Sequence, residues 1–166
     1  MMKNPRNLLV FAAIGGAFGL GIGIVAGRLS VPQPKYPTLE APDVHGSVMA
    51  VLTAQQDAWN AGDIEGFMQG YNKSRRLRFA SGGDITLGWQ NTLNRYQRRY
   101  TDRAKMGKLQ FDVKEVEVLS DESSLIFGQW TLFREADRPT GLFTLHFKKG
   151  PDGWKIVSDH TSSAQN

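Results

Sequence analysis

The stretch GLFTLHFKKGPDGWKIVSDHTS, residues 141–162, predicts two β-strands joined by a tight turn. Apolar and polar residues alternate on both sides of GPDG (150–153), and such a Gly- and Pro-containing tetrad is typical of a turn between antiparallel strands. The second strand ends in polar residues, among them Asp159 and His160. The hairpin therefore predicts both a sheet and a chemically distinctive strand end.

The alternation of the last strand predicts which side chains share a face. Neighbouring residues of a strand point to opposite faces of the sheet. One face is expected to carry Trp154, Ile156, Ser158, His160 and Ser162, and the other Lys155, Val157, Asp159 and Thr161. Asp159 and His160 therefore cannot act together on one substrate, and at most one of them faces a pocket.

Two more strands precede the hairpin. LQFDVKEVEVLS (109–120) alternates regularly, and LIFGQWTLFR (125–134) follows a polar turn. Short turns between successive strands indicate antiparallel neighbours. We expect four strands in an antiparallel meander.

Helical periodicity dominates the residues before the sheet. Apolar residues from Val44 to Trp59 recur at helical spacing, and Asn60-Ala61-Gly62 predicts the end of this first helix. Asp63 is a good N-cap for a short second helix. Residues 77–81 predict a short strand, and residues 89–100 another amphipathic helix. Helices followed by a long-stranded sheet predict an α+β domain.

Composition excludes several classes of function. The chain has 166 residues and no cysteine, so it predicts one compact domain with appendages and excludes disulfides and thiolate chemistry. Its three histidines, His45, His146 and His160, have no close ligand spacing. We predict no metal site and no cofactor.

The charge of the chain is only mildly basic. The net charge is +4, and the residues from Val44 onward hold 16 basic and 14 acidic side chains. A basic strip between residues 95 and 108 contains Arg95, Arg98, Arg99, Arg103, Lys105 and Lys108. Such runs are usually solvated faces or dimer rims, and we predict no nucleic-acid partner.

The N-terminal segment predicts a membrane anchor. Lys3 and Arg6 precede twenty uncharged residues, 8–27, and a helix needs about 20 apolar residues to cross a bilayer. The basic flank should stay in the cytoplasm. In a bacterium this gives a single-pass inner-membrane protein with its C-terminal domain on the periplasmic side. Val25-Ala26-Gly27 resembles a signal-peptidase site, so a cleaved signal and a periplasmic or secreted domain remain the alternative.

The chain divides into three parts by composition. Residues 1–29 form the anchor or signal segment, and residues 30–43, with four prolines, form a semi-extended linker. Residues 44–166 form the folded domain.

Several motifs of the domain resemble the SnoaL-like group of the nuclear transport factor 2-like superfamily. They are AWNAGD (58–63), FASGG with a following GW (79–89), RY (95–96) and residues 141–162. The pattern WxIVxxHxS (154–162) is similar to the last strand of the calcium/calmodulin-dependent protein kinase II association domain. The resemblance covers residues 46–162 and implies a cone-shaped fold, in which helices pack on a curved antiparallel sheet and leave a pocket.

The resemblance and the N-terminal segment together imply three possible functions. The first is a membrane-tethered, outward-facing domain that binds a small apolar or aromatic molecule. The second is an isomerase, dehydratase or cyclase, and the third is a non-catalytic assembly module. The superfamily also implies a homodimer, formed through a sheet face on which we expect residues such as Phe111, Val113 and Trp130 or their alternates.

Asp159 and His160 are the candidate catalytic residues. A carboxyl group buried in an apolar cone has a raised pKa and can exchange protons, as an Asp or Glu does in ketosteroid isomerase relatives. Histidine titrates near neutral pH. The alternatives are that Asp159 forms a salt bridge or lies at an exposed strand end, and that His160 is a hydrogen-bonded residue at a sheet interface.

The aromatic residues are the candidate pocket wall. Most aromatic side chains in a domain of this size must belong to the core. Those expected at the ligand are Trp59, Tyr71, Phe79, Trp89, Tyr96 and Trp130, together with Thr161. In the association domain an arginine stands in the place of Thr161, so the resemblance supports a pocket there but no acidic ligand at that position.

We predict that the full-length protein remains with membranes after alkaline carbonate washing, because residues 8–27 are long enough to span the bilayer. Immunoblotting of the pellet and supernatant measures this. A soluble mature form beginning near Arg28 would contradict the anchor and indicate a cleaved signal.

Overall fold

A computed structural model describes residues 43–164 of the chain. Within these residues there are four helices and one six-stranded sheet. The helices are α1 (Val44–Ala61), α2 (Ile64–Met68), α3 (Trp89–Arg99) and α4 (Arg103–Met106). The strands are β1 (Arg78–Ser81), β2 (Asp84–Leu87), β3 (Lys108–Ser120), β4 (Ser123–Phe133), β5 (Thr140–Gly150) and β6 (Gly153–Thr161).

The predicted boundaries of α1 are confirmed. Asp43 accepts a hydrogen bond from the Gly46 amide (2.8 Å) and so caps the N-terminus. Gly62 ends the helix with φ at 87°, a left-handed conformation that glycine adopts without steric penalty. Asn60 then joins α1 to β3, because its side chain donates to the Leu109 carbonyl (3.0 Å) and accepts from the Leu109 amide (2.7 Å).

The next two helices also follow the prediction. Asp63 caps α2 by accepting from the Gly66 amide at 2.7 Å, and α3 covers most of the predicted amphipathic segment. The short helix α4 was not predicted. Its first residue, Arg103, donates to the Trp59 and Asn60 carbonyls, both at 2.9 Å, and so covers the C-terminal end of α1.

The sheet has the order β2-β1-β6-β5-β4-β3. Strands β3 to β6 form the predicted antiparallel meander. The expectation of a wholly antiparallel sheet is wrong, because β1 pairs with β6 in parallel and makes the sheet mixed. Strand β2, which the sequence did not predict, completes the edge by pairing antiparallel with β1. The pairing of β1 with β6 joins residues 80 positions apart in the chain, and no local pattern encodes it.

One face of the curved sheet carries the core. Val48 of α1 is fully buried together with Ile126, Phe147 and Ile156 of the sheet. Gly128 of β4 allows the Phe143 ring to approach, since a Cβ at this glycine would lie 2.5 Å from the ring. Strand β3 shifts register between Val113 and Glu115, and such β-bulges bend a sheet.

The predicted anchor lies outside the described residues, as do residues 30–42 of the predicted linker. Between residues 43 and 164, no helix is long and apolar enough to cross a membrane. Residues 44–164 of the predicted domain are described as a folded unit.

Candidate functional site

The site begins with a β-bulge in β6. Phe147 pairs with Ile156, whereas the preceding His146 pairs with Ser158, so Val157 is an extra residue in the ladder. The bulge shifts the alternation by one position. As a result Asp159 is buried on the same side of the sheet as Ile156.

The predicted faces of β6 are therefore wrong in one half of the strand. Strict alternation placed Trp154 and Ile156 opposite Asp159, but all three are buried. From Ser158 onward the predicted alternation agrees with the structure, in which Asp159 is buried and His160 is exposed on the other side. A bulge adds one residue to a strand and leaves no reliable mark in a single sequence.

A cavity of about 100 Å³ lies between the helices and the inner face of the sheet. Its apolar and aromatic lining residues are Trp59, Phe67, Tyr71, Phe79, Tyr96, Tyr100, Leu109, Phe111, Trp130, Leu132, Phe143 and Leu145. Its polar and charged lining residues are Gln55, Ser81, Arg95, Arg99, Asp159, Thr161 and Ser163. The wall is thus mainly aromatic, with one acidic and two basic side chains among the described residues.

Asp159 lies in an apolar part of this wall. It pairs with Phe79 of β1 on one side and with Leu145 of β5 on the other, and only 5% of its surface is exposed. One carboxylate oxygen, Oδ2, accepts a hydrogen bond from the Tyr71 hydroxyl at 2.7 Å. The other, Oδ1, is buried and has no hydrogen-bond partner within residues 43–164. A buried oxygen without a donor destabilises the fold unless something supplies one.

The backbone of β6 also positions Tyr71. The Asn72 amide donates to the Ile156 carbonyl (2.8 Å), and the Ile156 amide donates to the Gly70 carbonyl (2.9 Å). These two bonds hold the segment around Tyr71 against β6, three residues before Asp159. The distance between the hydroxyl and the carboxylate is therefore set by the backbone on both sides.

Burial changes the ionisation of this pair. Loss of solvent raises the pKa of Asp159 to about 7, although the hydrogen bond from Tyr71 acts in the opposite direction. Burial, followed by the charge of Asp159, raises the pKa of Tyr71 well above 10. Tyr71 is therefore a neutral donor, and Asp159 changes between its acid and its carboxylate near neutral pH.

Tyr96 is at the centre of the aromatic wall. Its ring lies 5.2 Å from Phe67 and 5.7 Å from Phe79, both in edge-to-face geometry, and 6.1 Å from Trp59. Such arrangements are favourable for aromatic pairs. Burial, with the charge of Asp159 second, also raises the pKa of Tyr96 well above 10.

The opposite side of the cavity is formed by β4 and the end of β6. Trp130 donates from Nε1 to the Thr161 hydroxyl at 2.8 Å and to the Ser162 carbonyl at 3.1 Å. Phe111 and Phe143 pack edge to face, 5.5 Å apart. Phe111 and Trp130 therefore face inward, and Val113 packs against the core, so the expectation of these residues on the outer face is corrected.

The structure brings most of the candidate residues together. Those that line the cavity are Trp59, Tyr71, Phe79, Tyr96, Trp130, Asp159 and Thr161. Trp89 lies elsewhere: its Nε1 donates to the Met68 carbonyl at 2.9 Å, and Lys73 lies over its ring. It begins α3, two turns before Tyr96, where it packs beneath α2 rather than toward the sheet. His160 is outside the cavity, on the exposed face.

Two basic residues of the cavity were not predicted to line it. Arg95 and Arg99 were counted with the solvated strip, yet both line the wall. They are four residues apart, so with Tyr96 they project from neighbouring positions of α3, and Tyr100 follows as the residue that caps the helix. That spacing was visible in the sequence, but it became informative only when α3 was known to cover the cavity.

Within residues 43–164, no group of three or more His, Asp or Glu side chains is arranged to hold a metal ion. Three ion pairs are present in this part of the chain, and none includes Asp159. The alternatives of a salt-bridged or exposed Asp159 are therefore wrong.

A family model described as a SnoaL-like domain matches residues 48–166. The chain belongs to the SnoaL-like family. No curated protein matches this sequence. The predicted resemblance to the SnoaL-like and nuclear transport factor 2-like proteins is confirmed.

Solved structures support the same fold. A nuclear transport factor 2-like protein of unknown function from Shewanella oneidensis is 39% identical, with a TM-score of 0.69, over 71% of this SnoaL-like chain and 98% of the other. A putative calcium/calmodulin-dependent protein kinase type II association domain from Thiobacillus denitrificans is 16% identical, with a TM-score of 0.61, over 70% and 94% of the two chains. A ketosteroid isomerase-like protein from Erwinia carotovora atroseptica is 16% identical, with a TM-score of 0.59, over 73% and 96%. The latter two comparisons show the fold alone.

We predict that the stability of the protein falls as the pH rises from about 4 to about 7. The folded state keeps the proton of Asp159 up to a pKa of about 7, whereas the unfolded chain loses it near 3.8, so the penalty for burying the charge grows across this window. A rise from 3.8 to about 7 corresponds to roughly 4 kcal/mol. Urea unfolding followed by tryptophan fluorescence at several pH values measures the slope.

Asp159→Asn should remove this slope, because asparagine does not titrate. Asp152→Asn, in the exposed turn between β5 and β6, is the matched control and should keep the slope of the wild type. The same slope in the wild type and in Asp159→Asn would contradict the buried carboxyl group.

Proposed function

We propose that the domain binds a small apolar or aromatic molecule in the cavity, with a hydrogen-bond donor of that molecule meeting Asp159 Oδ1. SnoaL-like domains commonly bind small molecules or act as isomerases. The observation that carries the proposal is the buried Oδ1, which has no partner within residues 43–164 although it lies in the cavity wall. A ligand donor would supply the missing hydrogen bond.

The size of the cavity limits what it holds. Its volume of about 100 Å³ is smaller than the roughly 150 Å³ of a cavity that binds benzene. One small ring or a short aliphatic group fills such a space, with minor movement of the wall. The aromatic lining favours a flat apolar group that packs against Phe79, Tyr96 and Trp130.

A proton-transfer enzyme is the second candidate. A carboxyl group with a pKa of about 7 is well suited to accept and return a proton near neutral pH. The activity would be of the isomerase, dehydratase or cyclase type, with Asp159 as the base and Tyr71 as the donor that holds it. His160 is not part of this arrangement, because it lies on the opposite face. Deuterium exchange at the α-carbons of cyclohexanone, present in the wild type and lost in Asp159→Asn, distinguishes this candidate from simple binding.

The sequence supports a tethered and outward-facing position for this domain. The twenty uncharged residues 8–27 follow two basic residues, and residues 30–43 are long enough to separate a membrane segment from the fold. We therefore propose that the cavity faces the extracytoplasmic side and samples molecules there.

We predict that a chain lacking residues 1–42 binds phenol at least as tightly as toluene, because the hydroxyl donates to Asp159 Oδ1. Phenol and toluene have nearly the same shape, and water solvates phenol better. Asp159→Leu should therefore shift the preference toward toluene by about tenfold or more, the range expected for loss of a hydrogen bond to a charged group. Titration calorimetry measures both affinities.

Asp152→Leu is the control for loss of a carboxylate elsewhere, and it should leave the preference unchanged. If the wild type and Asp159→Leu prefer toluene equally, Asp159 does not contact the ligand. If neither compound binds to the wild type, the cavity is not a site for ligands of this size and the module function gains support.

We also propose that the domain forms a homodimer through the outer face of the sheet. Phe127 of β4 is 40% exposed and Leu142 of β5 is 48% exposed, and both lie on that face. Glu115 and Glu117 share it at the β3 edge, and Arg78 shares it near the other edge. A two-fold axis parallel to the strands would place the acidic edge of one copy over the basic edge of its partner.

Phe127→Glu should therefore convert a dimer to a monomer, because it puts a charge in the centre of the buried face. Val118→Glu is the control, since Val118 is also exposed but belongs to the other side of the sheet. Light scattering at micromolar concentration measures the mass. A monomeric wild type would contradict the dimer.

A further inference from the structure

Two guanidinium groups line the cavity beside the aromatic wall. Arg95 lies with its guanidinium carbon 5.3 Å from the centroid of the Phe79 ring, and that of Arg99 lies 5.9 Å from the centroid of Tyr100. Arg95 is half-buried and Arg99 is exposed, whereas Asp159 is buried. The basic groups therefore occupy the solvent end of the cavity, and the carboxyl group occupies the deep end.

Apart from their contacts with the Phe79 and Tyr100 rings, these arginines have no ion-pair or hydrogen-bond partner within residues 43–164. The three ion pairs within residues 43–164 use Lys105, Lys114 and Arg134. Arg103, from the same basic strip, is committed to the carbonyls that end α1. Arg95 and Arg99 make no hydrogen bond with another side chain or carbonyl in this part of the chain, so their donors are free for a ligand.

The charges of the lining do not cancel. Asp159 is the one acidic residue among the described lining residues, against two arginines. Near neutral pH a large share of Asp159 carries a proton, so the cavity has a net positive charge. A neutral apolar ligand would make no ionic interaction with this positive charge, whereas an anionic ligand would be attracted to it.

The small volume of the cavity favours a ligand that extends outward. About 100 Å³ holds one ring, so any further atoms of the ligand must pass the partly exposed rim, where Arg95 and Arg99 lie. Thr161 and Ser81 are the other partly buried polar groups of the rim, and neither is charged. The arginines of α3 are therefore the groups that decide which substituent a ligand carries at this end.

We propose that the ligand is an amphiphilic oxyanion, whose apolar or aromatic part fills the cavity and whose carboxylate or equivalent acid group binds between Arg95 and Arg99. This inference rests on the proposed binding function and adds the chemical class of the ligand. The molecule has two polar ends: a donor that meets Asp159 in the depth of the cavity and an anion at the mouth. Short aromatic acids that bear a phenolic hydroxyl have this arrangement.

The test compares 3-(4-hydroxyphenyl)propanoate with its neutral amide, which has the same shape. Binding to the full-length protein is measured by titration calorimetry in nanodiscs of neutral phosphatidylcholine, so that the lipid adds no net charge. The wild type should bind the acid about tenfold or more tightly than the amide, because charge-assisted hydrogen bonds to arginine are the stronger ones. The shorter acids 4-hydroxyphenylacetate and 4-hydroxybenzoate vary the distance between the hydroxyl and the carboxylate. Their relative affinities therefore measure the separation between Asp159 and the two arginines.

Arg95→Gln and Arg99→Gln should each lower the affinity for the acid several-fold and leave the amide unchanged. Arg98→Gln is the matched control, because Arg98 is on the same helix, is exposed and does not line the cavity. It removes the same charge from the protein and should have little effect on either compound.

Three outcomes would overturn the inference. Equal affinity of the wild type for the acid and the amide would show that no anion site exists, although the binding function would stand. Equal losses of affinity for the acid in Arg98→Gln and Arg95→Gln would show that the net charge of the protein, and not a specific site, attracts the anion. No binding of the acid, the amide or phenol would remove the proposed function and this inference with it.

Discussion

The β-bulge at Val157 is the feature on which the site depends. It turns Asp159 inward between Phe79 and Leu145, whereas an unbroken alternation with Ile156 would send this carboxyl group to the outer face. Since β6 is flanked by β1 and β5, the carboxyl group cannot move away from the cavity without disturbing both ladders. The same strand holds the segment of Tyr71. The last strand thus positions both members of the buried pair, since its bulge turns Asp159 inward and its Ile156 pairs with Tyr71.

The buried pair of Asp159 and Tyr71 serves the site but lowers the free energy of unfolding. An aspartate with one unpartnered oxygen is among the least favourable groups to place in an apolar wall. A core of apolar residues at this position would be more stable. Buried ionisable groups of this kind are typical of sites that bind or exchange a proton. The aromatic wall raises the pKa of Asp159 by excluding water, and the hydroxyl of Tyr71 limits that rise.

The charge of the cavity lining changes from a neutral or weakly acidic deep end to a basic mouth. Helix α3 and its C-cap residue produce this gradient, because Tyr96 and the capping Tyr100 line the cavity beside Arg95 and Arg99. The two tyrosines belong to the aromatic wall, and the two arginines lie at the solvent end of the cavity. On the proposed binding mode, a relative without basic residues at these two positions of α3 would keep the apolar cavity and lose the anion site.

The sequence by itself determined the α+β class, the cap of α2 at Asp63, the end of α1 at Gly62, and the antiparallel meander, since each depends on contacts between near neighbours in the chain. It also pointed to Asp159 and to most of the aromatic wall, because residue type and alternation identify such candidates. Only the tertiary structure decided that β1 runs parallel to β6, that Trp89 and His160 lie away from the cavity, and that two residues of the basic strip line it. Each of these depends on which segment packs against which, and the pairing of segments far apart in the chain is set by the whole core rather than by any local pattern.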